Sequence, residues 1–241
     1  MKLKVLSSGS SGNCYILENE NEALIIEAGV HLNKVKQVLC FKINKVSGVL
    51  ISHAHGDHAG KASDFEKIFP VYASEHVIEA KSLKRAKAIK PDKGYVVGGF
   101  KVLPFEAYHD VPCLGFLVNH AEFGNLLFLT DSGSCDYKFE NLNHLLIECN
   151  YATSVLEKTI ESGKLHPSVA NRVVGSHMEL HTCRDVLMSQ DLSRAYNIIL
   201  IHLSQNNSDE KLFTDTLSRA TGKPILIAKP GLEVELLNRP Y

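Results

Sequence analysis

Between residues 50 and 60 the chain reads Leu50-Ile51-Ser52-His53-Ala54-His55-Gly56-Asp57-His58-Ala59-Gly60, which puts four potential metal ligands within six residues at the end of an apolar run. No other segment constrains the chain as tightly. Imidazole and carboxylate groups crowded in this way need a cation or open solvent to satisfy them. His53 and His55 are two residues apart, so an extended backbone points both side chains the same way. Gly56 then lets the chain turn, and Asp57 and His58 aim at a second point nearby. One stretch thus offers two nitrogen ligands to one ion and an oxygen–nitrogen pair to another. That is the layout required for two cations roughly 3.5–4 Å apart.

The composition around this segment is that of an ordinary globular chain. Of 241 residues, 44% are hydrophobic and 22% charged, with 26 Lys+Arg against 27 Asp+Glu. At roughly 150 residues per domain this is one large domain or two small ones. No repeat, low-complexity tract or Pro/Gly/Ser linker divides it, so residues 1–241 read as a single domain. The net charge of −1 excludes a globally basic nucleic-acid binder and leaves room for a local basic patch. The opening MKLKVLSSGSSGN has no long apolar run, so neither a secretory signal nor a membrane span is expected. Six scattered cysteines without a CxxC pair read as reduced thiols in a cytoplasm.

Short runs of Val, Ile and Leu predict strands at Lys2–Leu6, Cys14–Leu17, Ala23–Glu27 and Gly48–Ser52, with a helix over His31–Cys40. After the histidine loop a helix is expected up to Phe69, then a strand at Val71–Ala73 and a helix over Glu75–Ile89. Strands follow at Phe100–Tyr108, Gly115–Asn119, Asn125–Thr130 and His144–Cys149. The last third alternates helices (Ala152–Ser162, Met178–Ser189, Asp209–Thr221) with strands (Asn197–Leu203, Ile225–Ala228, Leu232–Leu236). Strands first, then alternation, fit two packed sheets with helices outside.

The segment 53–58 is an HxHxDH signature, and on it the chain resembles the metallo-β-lactamase superfamily. Four further motifs stand in the family's order. Ala23–Gly29 is similar to an early strand ending in an acidic residue and glycine, with Glu27 where the family usually has Asp. His109 followed by Asp110 resembles the third histidine motif. Asp131 resembles the bridging aspartate, and His202 the final metal histidine. Alone, His109 and His202 would read as satisfied strand-end histidines and Asp131 as a cap or Asx-turn; beside residues 53–58 they read as ligands. The resemblance spans residues 3–236 and implies an α/β fold, an αββα sandwich of two mixed sheets with helices on the outer faces. It implies that His53, His55 and His109 hold one metal, that Asp57, His58 and His202 hold a second, and that Asp131 bridges them. Nitrogen and oxygen ligands without cysteine suit Zn²⁺ and tolerate Mn²⁺.

The runs Leu6–Tyr15, Leu146–Tyr151 and His202–Asn207 resemble the YycJ-like phosphodiesterase branch, which includes DNA exonucleases. Anti-Pycsar proteins, which hydrolyse cyclic nucleotides, are also similar, and Gly175–His181 looks closer to theirs. No Lys-Ser/Thr follows the GSSGN run, so it reads as a hairpin turn. The resemblance implies a dinuclear phosphodiesterase in which a hydroxide held between the metals attacks phosphorus and Asp57 accepts its proton. His177 is expected to contact the phosphate or protonate the leaving oxygen, and to share a helix face with His181. Asn150 and Tyr151 are expected to line the substrate pocket, with Tyr151 stacking on a base. Lys81, Lys84, Arg85, Lys87, Lys90 and Lys93 form a basic run, read as a solvated helix face or a phosphate-steering patch. A near-neutral chain without an aromatic-interleaved basic stripe favours a 3′,5′-cyclic nucleotide as substrate. A 5′–3′ DNA exonuclease is the alternative, and a non-catalytic metal-binding nucleotide sensor a third reading. A homodimer is compatible with all three; a membrane partner is not.

Overall fold

Apolar strands without polar alternation can be buried only where both faces of a sheet are covered. The computed structural model describes residues 1–238 and shows that arrangement; residues 239–241 of the expected domain lie outside the described ones. One sheet contains β1 (Lys2–Ser7), β2 (Cys14–Glu18), β3 (Ala23–Ile26), β4 (Val46–Ile51), β5 (Val71–Ala73) and β6 (Lys87–Ala88). The other contains β7 (Tyr95–Val97), β8 (Phe100–Ala107), β9 (Cys113–His120), β10 (Gly124–Leu129), β11 (Leu142–Glu148), β12 (Asn197–Ile201) and β13 (Ile225–Ile227). The last strand, β14 (Glu233–Glu235), returns to pair with β1. Their spatial orders are β14-β1-β2-β3-β4-β5-β6 and β13-β12-β11-β10-β9-β8-β7. Both sheets are mixed: β3 to β6 and β10 to β13 run parallel, and the remaining pairs antiparallel.

Helices α1 (Leu32–Val38), α2 (Gly56–Ala59), α3 (Ala62–Phe65) and α4 (Glu75–Ala80) cover the outer face of the first sheet. Past α5 (Thr153–Glu161) and α6 (Pro167–Ser176), α7 (Leu180–Ser189) and α8 (Glu210–Thr221) cover the second. The expected αββα sandwich is therefore present. Along β2, Tyr15 and Leu17 enter the core between the sheets, while Cys14 and Ile16 face the helices. Along β10, Leu126 and Phe128 point inward and Leu127 and Leu129 outward. Each fully buried Leu, Ile or Phe contributes roughly 1.5–3 kcal/mol, so three apolar layers grip the strands and make their ends rigid platforms. Among the described residues, no helix is long and apolar enough to cross a membrane.

Three local expectations fail. The helix expected over Glu75–Ile89 stops at Ala80, and the basic run continues as a turn and the short edge strand β6. Leu83 packs under the outer helices while Ile89 enters the core between the sheets, and one helix cannot reach both layers. Helix α6 was not expected, because Val169, Val173, Val174 and Gly175 are weak helix formers. His177 and His181 do not share a helix: His177 follows α6 in extended conformation, and Glu179 caps α7 through the amide of His181. Fully buried Met178 pulls the backbone inward between the two helices.

Candidate metal centre

The two parallel blocks end at the same edge of the sandwich: His53 and His202 follow β4 and β12, His109 follows β8, His58 lies in the short α2, and His177 follows α6. His53 Nε2 and His109 Nε2 lie 3.1 and 3.2 Å from His55 Nδ1. His109 Nδ1 donates to the carbonyl oxygen of Ser176 at 2.8 Å. A carbonyl only accepts, so Nε2 of the neutral His109 ring is a bare lone pair turned toward the other two imidazoles. Fixing the tautomer from behind in this way is how proteins prepare a metal-binding histidine.

A second group stands beside the first. His58 Nε2 is 3.2 Å from Asp57 Oδ2 and 3.2 Å from Asp131 Oδ1, and His202 Nε2 is 3.1 Å from Asp57 Oδ2. Asp131 spans the two groups. Its Oδ1 faces His58 and His202, and its Oδ2 lies 3.8 Å from both His53 Nε2 and His109 Nε2. The sets His53, His55, His109, Asp131 and Asp57, His58, Asp131, His202 can each converge on one ion.

The electrostatics fit that use. Burial pushes His53 well below its ordinary range and lowers His55 as well. Burial also opposes charge on His58 and His202, but the surrounding carboxylates win and hold both above the ordinary histidine value, His202 at about 10. Burial likewise opposes ionisation of Asp131, yet the His58 and His202 imidazoles keep its carboxyl well below the usual range. Asp57, Asp131 and Glu148 thus concentrate negative charge around the imidazoles, and divalent cations would balance it. His58 Nδ1 and Glu27 Oε2 are 3.6 Å apart, both buried without a hydrogen-bond partner among the described residues. A small rotation would join them in the carboxylate–histidine arrangement seen behind metal ligands.

The opening hairpin, read in the sequence only as a turn, supports the site. Asn13 N–H donates to the Asp57 carbonyl at 2.7 Å, and its side-chain amide lies 3.0 Å from His58 Nε2. Ser8 Oγ accepts from the His202 amide at 2.9 Å. Glu27, Asp131 and His202 all have left-handed backbones, with φ of 71°, 43° and 54°. Such conformations cost of order 1–3 kcal/mol each and persist where the surroundings enforce them. Here each turns a strand end sharply so that its side chain faces the cluster.

Glu148 lies within the Leu146–Tyr151 run and is fully buried behind the rings of His177 and His202. Its Oε1 accepts from His177 Nδ1 at 2.7 Å and lies 3.2 Å from His202 Nδ1. Its Oε2 accepts from the amides of Ser132 and Met178, each at 3.0 Å. A buried carboxylate at the end of β11 is the signal that could have found it. His177 stands at the rim, its ring 5.4 Å from that of His202. Burial opposes its charge, but the Glu148 carboxylate raises its pKa above the ordinary histidine value. Asn150 and Tyr151 lie behind the site instead of lining an open pocket. The Asn150 side-chain Nδ2 donates to the His202 carbonyl at 2.8 Å, and Tyr151 is buried against Leu156 and Ala170. Exposed His181 pairs with Glu179, away from the cluster.

Known proteins resemble this chain in both sequence and fold. Residues 8–133 match the family described as the Metallo-beta-lactamase superfamily. The chain is 26% identical over 242 residues to the exodeoxyribonuclease YycJ of Bacillus anthracis, covering 91% of this chain and 88% of that one. It is 24% identical over 230 residues to the exodeoxyribonuclease WalJ of Streptococcus pneumoniae, covering 88% and 84%. Among solved structures, the fold is similar to the metallo-beta-lactamase fold protein YhfI from Bacillus subtilis. That match has a TM-score of 0.76 at 19% identity and covers 97% of this chain and 98% of that one.

Proposed function

The chain belongs to the metallo-β-lactamase superfamily, and from that premise we propose that it is a phosphodiesterase acting on the ends of DNA strands, with two divalent cations, Zn²⁺ before Mn²⁺. The observation that carries this reading is the Asp131 carboxylate, which turns one oxygen to each group of histidines. His53, His55 and His109 would hold one cation, Asp57, His58 and His202 the other, and Asp131 both. The relatives named exodeoxyribonucleases, aligned over most of the chain, support DNA over the cyclic nucleotide that net charge favours. The placement of the basic run supports the same choice. Pro91, within the span of that run, walls the cleft that opens beside His109, and the exposed Lys90 precedes it in the chain.

Two divalent cations, when bound, supply activation of water near neutral pH and neutralise charge developing at the phosphoryl group. The remaining work falls to side chains. Asp57, with Oδ2 beside both His58 and His202, accepts the proton of the attacking water. Glu148 fixes Nδ1 of His177 as the hydrogen-bonded nitrogen, which leaves Nε2 to donate to a phosphoryl or leaving oxygen. The protein side of the cluster is dry, since His53, His58 and Glu148 are fully buried, so these interactions act in a low dielectric. The whole chain works as one domain, in the cytoplasm.

The test supplies purified protein with Zn²⁺ or Mn²⁺ and offers 5′-phosphorylated single-stranded DNA alongside a panel of cyclic nucleotides, with products separated by chromatography. Mononucleotide release from DNA is expected. Turnover confined to cyclic nucleotides would replace the DNA-end reading, and no turnover from a protein holding two cations would make the chain a sensor. His55→Ala and Asp131→Ala should each lose bound metal together with activity. Two tightly held cations in Asp131→Ala would overturn the ligand assignment.

A further inference from the structure

The cleft beside His109 has a volume of about 530 Å³ and runs from Ser74 and Pro91 on one side to Tyr108, Asp110, Val111 and Pro112 on the other. That volume falls within the roughly 300–1,000 Å³ of small-molecule sites. Ser74 follows β5 of the first sheet, and residues 108–112 join β8 to β9 of the second, so both sheets contribute a wall. The cleft meets the cation cluster at His109, which belongs to both although its side chain is only 1% exposed.

Tyr108 is the residue that stands out. It is 53% exposed, beside a polar site, although it directly precedes a histidine of that site. Its position is nevertheless pinned. The Tyr108 amide donates to Ser132 Oγ at 2.9 Å, its carbonyl accepts from the Gly133 amide at 2.8 Å, and its hydroxyl donates to Asp136 Oδ2 at 2.7 Å. The ring is therefore held at backbone and tip with more than half its surface uncovered. A platform ordered in advance loses little freedom when a ligand settles on it.

We propose that Tyr108 is a stacking platform for a nucleobase of the DNA substrate and that this cleft is the subsite for the nucleotide next to the scissile phosphate. The inference rests on the reading of the chain as a phosphodiesterase of DNA ends. The chemistry of the walls selects a base over a phosphate. Pro91, Val111 and Pro112 are apolar, and the carboxylates of Glu106 and Asp110 repel an anion. Asp110 is already engaged, with Oδ1 3.4 Å from His55 Nε2 and Oδ2 3.7 Å from the Arg172 guanidinium. A base has faces for Tyr108 and no charge for those carboxylates to oppose. The phosphate it carries goes to the cation cluster, and the strand leaves past Lys90 and Lys93.

The experiment measures fluorescence polarisation of a labelled single-stranded oligonucleotide, with phosphorothioate linkages at its 5′ end, on the zinc-loaded protein. A second oligonucleotide is abasic at its first two positions. Tyr108→Ala should weaken binding of the ordinary oligonucleotide about 5- to 150-fold, the loss of one stacked base. It should leave the abasic one nearly unchanged, and Tyr108→Phe should restore most of the affinity because the ring remains. Equal losses on both oligonucleotides, or no loss on either, would overturn the subsite. So would failure of the wild type to bind the ordinary strand. Tyr108-dependent binding by a wild type that hydrolyses no phosphodiester would sink the phosphodiesterase reading while supporting the subsite.

Discussion

Gly29 lies outside the histidine segment, yet the structure makes it the tightest point of the site. A Cβ built there would stand 1.7 Å from the Asp57 carbonyl oxygen and 2.6 Å from the Asn13 amide nitrogen. Both are backbone atoms, joined to each other by a 2.7 Å hydrogen bond, so neither can yield by a side-chain rotation. Gly29→Ala must therefore push the Asp57 backbone away. Overpacking costs about 1–3 kcal/mol, and an orphaned buried amide about 1–3 kcal/mol more. At about 2–4 °C per kcal/mol for a chain near this size, the melting temperature should fall by roughly 4–24 °C. Displacing Asp57 and His58 by about 1 Å should also lower turnover on the order of 100-fold. Gly56 provides the control. It sits within the histidine segment, but an added Cβ meets nothing within 4 Å and its φ is negative, so Gly56→Ala should keep both stability and metal. Calorimetry, metal analysis and initial rates on the two variants test the reasoning. A Gly29→Ala protein that melts like the wild type and holds both metals would refute it, as would a Gly56→Ala protein that loses them.

His177→Ala should keep both metals while kcat falls roughly 10²–10⁴-fold; an unchanged kcat would return His177 to a bystander at the rim. Binding of single-stranded DNA should weaken with salt at a logarithmic slope of about −0.7 per phosphate contact. Lys84, Arg85 and Lys87 are exposed past the end of α4, so replacing all three by Ala should flatten that slope. A slope near zero in the wild type would count against a polynucleotide substrate. Burial lowers His144 to about 4, where its Nδ1 accepts from Asn197 and its Nε2 donates to the Leu237 carbonyl. The unfolded chain therefore takes up this proton first, and stability should fall by about 3 kcal/mol as pH drops from about 6.5 to about 4. His144→Gln should show a shallower acid limb in pH-dependent denaturation, and parallel limbs would exclude His144 as the cause.

The segment His53–His58 was legible in the sequence as metal-ligand chemistry crowded at the end of an apolar run, whereas His109, Asp131 and His202 were singled out by the resemblance. The patterning by itself pointed to packed sheets with helices outside, and the αββα sandwich came with the resemblance. Strands apolar on both faces need cover on both sides, and the helical periods that supply it alternate with them. What stayed hidden depends on residues far apart in sequence. Glu148 becomes a hub because β11 ends behind both His177 and His202. The expected pocket residue Tyr151 turns inward because α5 and α6 offer it an apolar cluster, while Tyr108 stays at the surface, tied to Asp136. Gly29 matters because Asp57 and Asn13 approach it from other loops, a crowding no local pattern encodes. The basic run escapes its helical reading because Leu83 and Ile89 are claimed by different cores. Periodicity reports which residues a segment must bury, whereas which core buries them, and what then meets at the strand ends, is decided only when the two sheets close on each other.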